Sequence, residues 1–284
     1  MILNKNHFIY LHPSIWFIFI LSIMTGMFFE ITIIFLIVSW HEFGHYLMAK
    51  HFKWDIRRIT LWIFGGVMET EEHLNKPMKE QLFVTVSGPL QHLFIFIILL
   101  LIQTFDSVDP DLINFAFRYN SLILCFNLIP VWPLDGGKLL NISLNYFFPF
   151  KKAYQETIII SLSCLTLLFM VMIHFDQAII NLFVLFTFLI WENLLEWKRR
   201  LYVYQRFLLT RMNQKKRSDH LMPLTFTSQT LLKDVFTQLY LNRYHPILIR
   251  DRQMVTSESD CLSYYFKKGQ HHARLDDLIE HGTK

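Results

Sequence analysis

Residues 31 to 51 read ITIIFLIVSWHEFGHYLMAKH, an apolar run that passes without a break into His41-Glu42-Phe43-Gly44-His45. Such a run suits a helix inside a bilayer, where backbone polar groups must be paired within the segment itself. On a helix, positions i and i+4 share a face, so the two imidazoles of this H-E-x-x-H converge on one metal ion. Glu42, next to His41, is placed to take a proton from a water at that metal. The chemistry this suggests is zinc-assisted hydrolysis. Ionisable groups within lipid are costly, and they mark function where they occur.

Hydrophobic residues make up 53% of the 284, among them 28 Phe, which is too apolar for an ordinary water-soluble globule and points to the membrane class. The formal net charge of +4 is modest, and nothing in its placement argues for nucleic acid. Cys125, Cys164 and Cys261 are odd in number and far apart, so neither a disulfide framework nor a cysteine zinc site is supported. The first apolar run has no small-residue cleavage site after it and reads as a retained span rather than a signal peptide.

Measured against the roughly 20 apolar residues that a bilayer requires, the chain offers six spans, at residues 12–28, 30–52, 80–103, 113–133, 154–174 and 177–197. Glu30, after the Gly26 segment, marks a tight turn between the first two. The acidic loop from Asp106 to Asp111 and the neutral or acidic loops at Glu30 and Asp176 are expected outside. Lys5, Lys53, Arg57, Arg58, Lys151, Lys152 and Lys198 to Arg200 lie on the other side, the positive-inside pattern with both termini cytosolic. On that topology His41 and His45 sit about 10 Å from the cytosolic end of the second helix, at 1.5 Å per residue.

The stretch from Trp54 to Lys79 is too polar to span, yet it holds two β-prone runs about Gly65-Gly66. It reads as a hairpin or re-entrant loop, the bland alternative being an amphipathic loop. The third span carries Ser87-Gly88-Pro89, which permits close helix approach, followed by Gln91 and His92. His92 is expected as a packing or hydrogen-bonding residue rather than a ligand. The fourth span ends in NLIPVWPLDGG, residues 127–137, where Pro130 and Pro133 break the helix and deliver Asp135 to the same side of the membrane as the histidines. A Pro-Leu-Asp-Gly turn is ordinary by itself; the match in depth is what singles out Asp135. A catalytic zinc site takes three protein ligands and one open position. His41, His45 and Asp135 meet that requirement, and Glu42 is left as the base.

After Trp197 the composition changes. A basic linker over 201–219, with Lys215-Lys216-Arg217 suited to lipid headgroups, separates a membrane domain of residues 1–200 from a small α+β cytosolic domain at 220–284. Within the latter, Leu231 to Leu241 reads as helix and Pro246 to Arg250 as strand. His271, His272 and His281 fit a polar tail better than a metal site. The expected fold is thus an α-helical polytopic membrane protein of about six transmembrane helices with a re-entrant hairpin, plus that small domain.

With these motifs quoted, the chain resembles the site-2 proteases, the intramembrane metalloprotease family, over roughly residues 10–200. HEFGH at 41–45 and NLIPVWPLDGG at 127–137 carry the resemblance, supported by Gly65-Gly66 and Gly88-Pro89. The family often places Asn shortly after Gly-Pro in the third span; Gln91 and His92 stand there here, so no role for that Asn carries over. The resemblance implies Zn2+ on His41, His45 and Asp135 and water activation by Glu42. A substrate helix hides its carbonyls in internal hydrogen bonds, so it must be extended locally, and the Gly65-Gly66 edge is expected as its strand partner. Asn127 is expected to stabilise the oxyanion or orient substrate.

The early H-E-x-x-H and short tail are similar to the family's sporulation branch. That branch implies pro-sigma-K as the membrane-associated substrate, inhibitory membrane protein partners, and residence in the mother-cell membrane around the forespore. It also implies a tail of the cystathionine-β-synthase (CBS) type that senses ATP; the helix-then-strand order at 234–249 supports this thinly, and a plain docking domain competes with it. A membrane transporter using the His, Glu and Asp cluster is the competing class. The base adjacent to the metal pair disfavours it.

Overall fold

The computed structural model describes residues 9–62, 65–70, 76–105, 109–174, 179–213, 221–270 and 272–282. Ile63 and Phe64 within the β-prone stretch, Asp106 of the acidic loop, Asp176, the basic Lys215-Lys216-Arg217 and His271 lie outside them, as does Lys5. The chain divides into two compact units. One holds the described residues up to Ile129 together with Leu134–Gly136, and the other holds Pro130–Pro133 and the described residues from Gly137 onward.

The first unit begins with a short strand β1 (Ile9–Leu11) and helix α1 (Pro13–Thr25). His12 caps α1 by accepting from the Ser14 N–H, and Pro13 supplies a first-turn φ already suited to a helix. Gly26 ends it in the left-handed region, φ 76°, and α2 (Phe28–His51) starts two residues later. The turn therefore lies at Gly26-Met27, and Glu30 falls in the first turn of α2, where a carboxylate suits the helix dipole. Lys50 and His51 occupy its last turn with the complementary sign.

Strands β2 (Ile56–Trp62) and β3 (Gly65–Thr70) pair antiparallel, with Leu61 opposite Gly66 and Trp62 opposite Gly65, which is the expected hairpin. The sequence gives no warning of β1, which adds to β2 in parallel. Helix α3 (Met78–Ile102) carries Pro89 within it, and α4 (Pro110–Asn127) is capped by Asp109, whose carboxylate accepts from the Asp111 N–H at 2.9 Å. The fourth span, expected to run to residue 133, ends as helix at Asn127. Pro130 and Pro133 lack the N–H that a continuing helix needs, and their rings clash with the preceding turn.

Asp135 then opens a further helix, α5 (Asp135–Phe147), where the Pro-Leu-Asp-Gly pattern reads as a turn. In the second unit α6 (Phe150–His174) packs on α7 (Ile179–Asn213). The second unit also solves the problem of the broken segment. The Trp132 N–H donates to Ser161 Oγ on α6 at 2.9 Å, and the Trp132 carbonyl accepts from Asn193 Nδ2 on α7 at 2.6 Å. Ser161 Oγ in turn donates to Asn193 Oδ1 at 2.6 Å. Backbone groups freed by proline within a membrane protein need such partners.

Among the described residues α2, α3 and α6 are long and apolar enough to cross a membrane, and α1 is a shorter apolar helix. Large side chains such as Trp16, Phe17, Leu36, Leu100 and Leu167 stand on their outer surfaces. In water so much exposed apolar surface would drive association; in lipid it is the matching solvent.

Helix α7 continues as one helix through residues 201–213, the first two-thirds of the expected linker. Beyond residue 220 a mixed sheet forms from β4 (Leu224–Phe226), β5 (Ile247–Ile249) and β6 (Met254–Thr256), in that order. It is joined by α8 (Leu232–Phe236), α9 (Glu258–Lys267) and α10 (Leu275–Gly282). The helix expected from Leu231 to Leu241 is thus only five residues long. Its buried face, Leu232, Val235 and Phe236, joins Ile247, Ile249, Leu262 and Leu275 in a core that also takes Phe207 and Leu208 of α7.

Arg211, near the end of α7, binds Glu258 through Nη1 at 2.9 and 2.7 Å, and its Nη2 donates to the Tyr240, Leu241 and Arg243 carbonyls. His245 donates to the same carboxylate from its backbone N–H and from Nδ1. Burial works to raise the Glu258 pKa, but the His245 hydrogen bond and the Arg211 charge outweigh it and hold the group below its ordinary 4.5. This contribution to stability is therefore complete above about pH 4.5 and is lost as the pH falls through the lower folded value. Replacing Glu258 by Ala leaves a buried guanidinium uncompensated, an expected loss of about 3–5 kcal/mol. Thermal unfolding of the detergent-solubilised protein measures it, and an unchanged midpoint contradicts it.

Candidate metal centre

The elements of the first unit that hold the centre are α2, α3 and α4, which pack on one another, and the hairpin, whose β3 strand lies against α2. His41 and His45 are one turn apart on α2, and Asp135 is at the head of α5. The Nε2 atoms of the two histidines stand 3.1 Å apart, and Asp135 Oδ2 is 3.1 Å from the first and 3.0 Å from the second. All three residues are buried. Among the described residues this is the one group of three or more His, Cys, Asp or Glu whose ligand atoms lie close enough to share an ion.

Zinc bonds of about 2.0–2.1 Å at tetrahedral angles put neighbouring ligand atoms roughly 3.3–3.4 Å apart. The observed triangle is close to that size, and its donor set of two imidazoles and one carboxylate is one that zinc accepts. The residues present therefore fit the ion.

Two features of α3 fix the triangle. His45 Nδ1 donates to the Val84 carbonyl at 2.7 Å, which leaves Nε2 free to offer a lone pair to an ion. Gly88 lies directly against both rings: a Cβ there would stand 2.2 Å from His45 Nε2 and 2.8 Å from His41 Nε2. The close approach expected of Ser87-Gly88-Pro89 is thus an approach to the two imidazoles. Gly136 plays a related part for Asp135, since a Cβ there would meet the Ile129 carbonyl oxygen at 2.2 Å. The start of α5 is folded tightly back on the end of α4.

Glu42 does not point into the triangle's hydrogen bonds. Its Oε1 accepts from the Gly66 N–H at 3.1 Å, and a Cβ on Gly66 would stand 2.5 Å from Glu42 Cδ. The second glycine of the pair at the head of β3 therefore lies on the proposed base. Asn127 is placed differently: its Nδ2 donates to the Ile123 carbonyl one turn back in α4, at 3.1 Å, and to none of the cluster. His92, expected only to pack or hydrogen-bond, does the latter against a member of the cluster, with its Nε2 3.1 Å from His41 Nδ1. The available signal was its spacing of four from Gly88, which puts the ring on the face of α3 that meets the ligands.

A buried His-His-Asp triangle, with Glu42 next to His41 in the chain, on helices made for lipid, is the arrangement of a metal-dependent hydrolase of the membrane. The model of Peptidase family M50 matches residues 29–109. Stage IV sporulation protein FB of Bacillus subtilis (strain 168) is 34% identical over 275 residues, covering 95% of this chain and 96% of that protein. A zinc metalloprotease of Methanocaldococcus jannaschii is 31% identical over 175 residues, 58% of this chain and 51% of that relative. Among solved structures, the site-2 protease from Methanocaldococcus jannaschii superposes with a TM-score of 0.54 at 25% identity, covering 69% of this chain and 93% of that one.

The chain belongs to peptidase family M50, the site-2 proteases. It is an integral membrane protein and an intramembrane zinc metalloprotease.

Proposed function

We propose that this protein cleaves a membrane-associated protein close to the cytosolic face, with zinc held by His41, His45 and Asp135 and Glu42 as general base. The observation that carries the reading is the convergence of the His41, His45 and Asp135 donor atoms within 3.1 Å of one another, with Glu42 next to His41 on α2. When bound there, zinc lowers the pKa of a water toward neutrality and polarises a peptide carbonyl. Glu42 takes the proton of the attacking water and returns a proton to the leaving nitrogen as the peptide bond breaks. Burial of the ligands strengthens each of these electrostatic effects by excluding competing water. The segment about Gly65 and Gly66 receives the locally extended substrate as an added strand.

The finer reading follows the sporulation branch. On it the substrate is pro-sigma-K, whose pro-segment is removed, the partners include inhibitory membrane proteins, and the enzyme acts in the mother-cell membrane around the forespore with six spans and both termini cytosolic. The compact tail beyond residue 220 serves either as an ATP-sensing domain of the CBS type or as a plain docking domain.

Co-expression with pro-sigma-K is the direct test. Wild type is expected to produce a smaller product, lost with a zinc chelator and restored by added zinc. Asp135→Ala should leave the precursor intact and lower zinc retained on purification from about one per chain to near zero. Processing by the metal-free variant at the wild-type rate would sink the reading.

A further inference from the structure

We propose that His92 and Asn120 are positioning residues that set the tautomer and ring orientation of His41, through a directed hydrogen-bond relay ending on the backbone of α3. The inference rests on the reading of His41 as a zinc ligand, and it goes beyond that reading in assigning work to two residues outside the motif.

His41 turns Nε2 toward His45 and Asp135, so that nitrogen must carry the lone pair. Its proton is then on Nδ1, which faces His92 Nε2 at 3.1 Å. A donor there requires an acceptor opposite, so His92 carries its own proton on Nδ1. That atom lies 2.7 Å from Asn120 Oδ1. The amide is held the right way round because Asn120 Nδ2 donates to the His92 carbonyl at 3.1 Å. Each link permits one direction only, and the direction is set at the far end, where a backbone carbonyl can do nothing but accept. His45 reaches the same state in one step through Val84.

His92 and Asn120 are fully buried between apolar helices, where aliphatic side chains would pack without needing partners. Their hydrogen bonds are spent on each other, on one backbone carbonyl and on the ligand ring. Partners of this kind orient metal-bound imidazoles and raise their basicity, and their loss lowers metal affinity by about 10–100-fold.

The experiment is zinc affinity, measured by competition with a chromophoric chelator on full-length protein in detergent, alongside cleavage at limiting and saturating zinc. His92→Phe keeps a ring of similar size but accepts nothing; it should weaken zinc by about 10–100-fold, with cleavage largely recovered when zinc is raised. His92→Gln restores an acceptor and should return affinity most of the way to wild type. Asn120→Leu should weaken zinc as His92→Phe does, whereas Asn120→Asp, which still accepts from His92, should not. A packing role predicts the opposite order, with Phe and Leu tolerated and Gln no better than Phe. That order, or wild-type affinity in both His92→Phe and Asn120→Leu, overturns the relay. His45→Ala run in parallel separates the two readings: if it too binds zinc normally, the metal site itself is wrong.

Discussion

Glu42→Gln is expected to lower the rate of substrate cleavage by about two to four orders of magnitude, the usual contribution of a positioned general base, while leaving zinc bound. The separation of the two effects follows from the geometry. Glu42 is not one of the three converging ligands, and the amide oxygen of Gln can still accept from the Gly66 N–H that Glu42 Oε1 now holds. Shape and metal therefore survive the substitution, and only the capacity to take a proton is removed. Cleavage of a membrane-proximal substrate together with zinc analysis of the purified protein reads both quantities. A variant that retains more than roughly a tenth of the wild-type rate would remove Glu42 as the base, since no smaller loss matches that chemistry. A variant that loses its zinc would show that Glu42 acts on the metal site instead.

The second large effect is expected at a residue with no side chain. Gly88→Ala would bring a methyl to 2.2 Å from His45 Nε2 and 2.4 Å from Cε1 of the same ring. Carbon and nitrogen in contact sit well beyond 3 Å, so the ring, the helix or both must move. His45 is tied through Nδ1 to Val84, on the same helix as Gly88, so it cannot simply swing aside. Overpacking a filled interior costs about 1–3 kcal/mol, and a ligand displaced by a large fraction of an ångström loses its metal geometry. Gly88→Ala should therefore fold, bind zinc at least ten times more weakly and cleave poorly. Chelator competition and melting curves test this together. Full zinc affinity in the Ala variant would show that the Gly88 contact does not hold the imidazoles in place.

How much of this was legible in the chain varies with the kind of signal each residue leaves. The pair at His41 and His45 announces itself because its spacing matches the helix it sits on. Asp135 was reachable because loop charges give a depth, and depth brought two distant motifs to one level. The hairpin showed through its β-prone runs about Gly65-Gly66. The relay through His92 and Asn120, 28 residues apart, and the clasp of Asn193 on Trp132, 61 residues away, left no periodic trace. A single polar residue in an apolar helix says that something must satisfy it, but its partner depends on how each helix is rotated about its axis. Helix α5 was hidden for a related reason. Prolines and glycines mark where the preceding helix stops, and Asp135 suits a turn as well as a helix start. Arg211 looked like one more charge in a basic run; its burial against Glu258 depends on a fold more than forty residues downstream.

The fit of α2 against α3 also bears on how such an enzyme can be switched. Gly44 faces the Ser87 carbonyl and Gln91 with no room for a Cβ, Gly88 does the same toward both imidazoles, and each ring is anchored by Nδ1 to a group on α3. A helix turns about 100° per residue, so rolling α2 by even a fraction of one residue would tear both anchors and drive backbone into side chain. The two helices therefore form a single machine part with no working clearance. Any adjustment of the site that keeps this pair of helices intact has to come from elements other than α2 and α3, and the strand that carries Gly66 against Glu42 is one that touches the site.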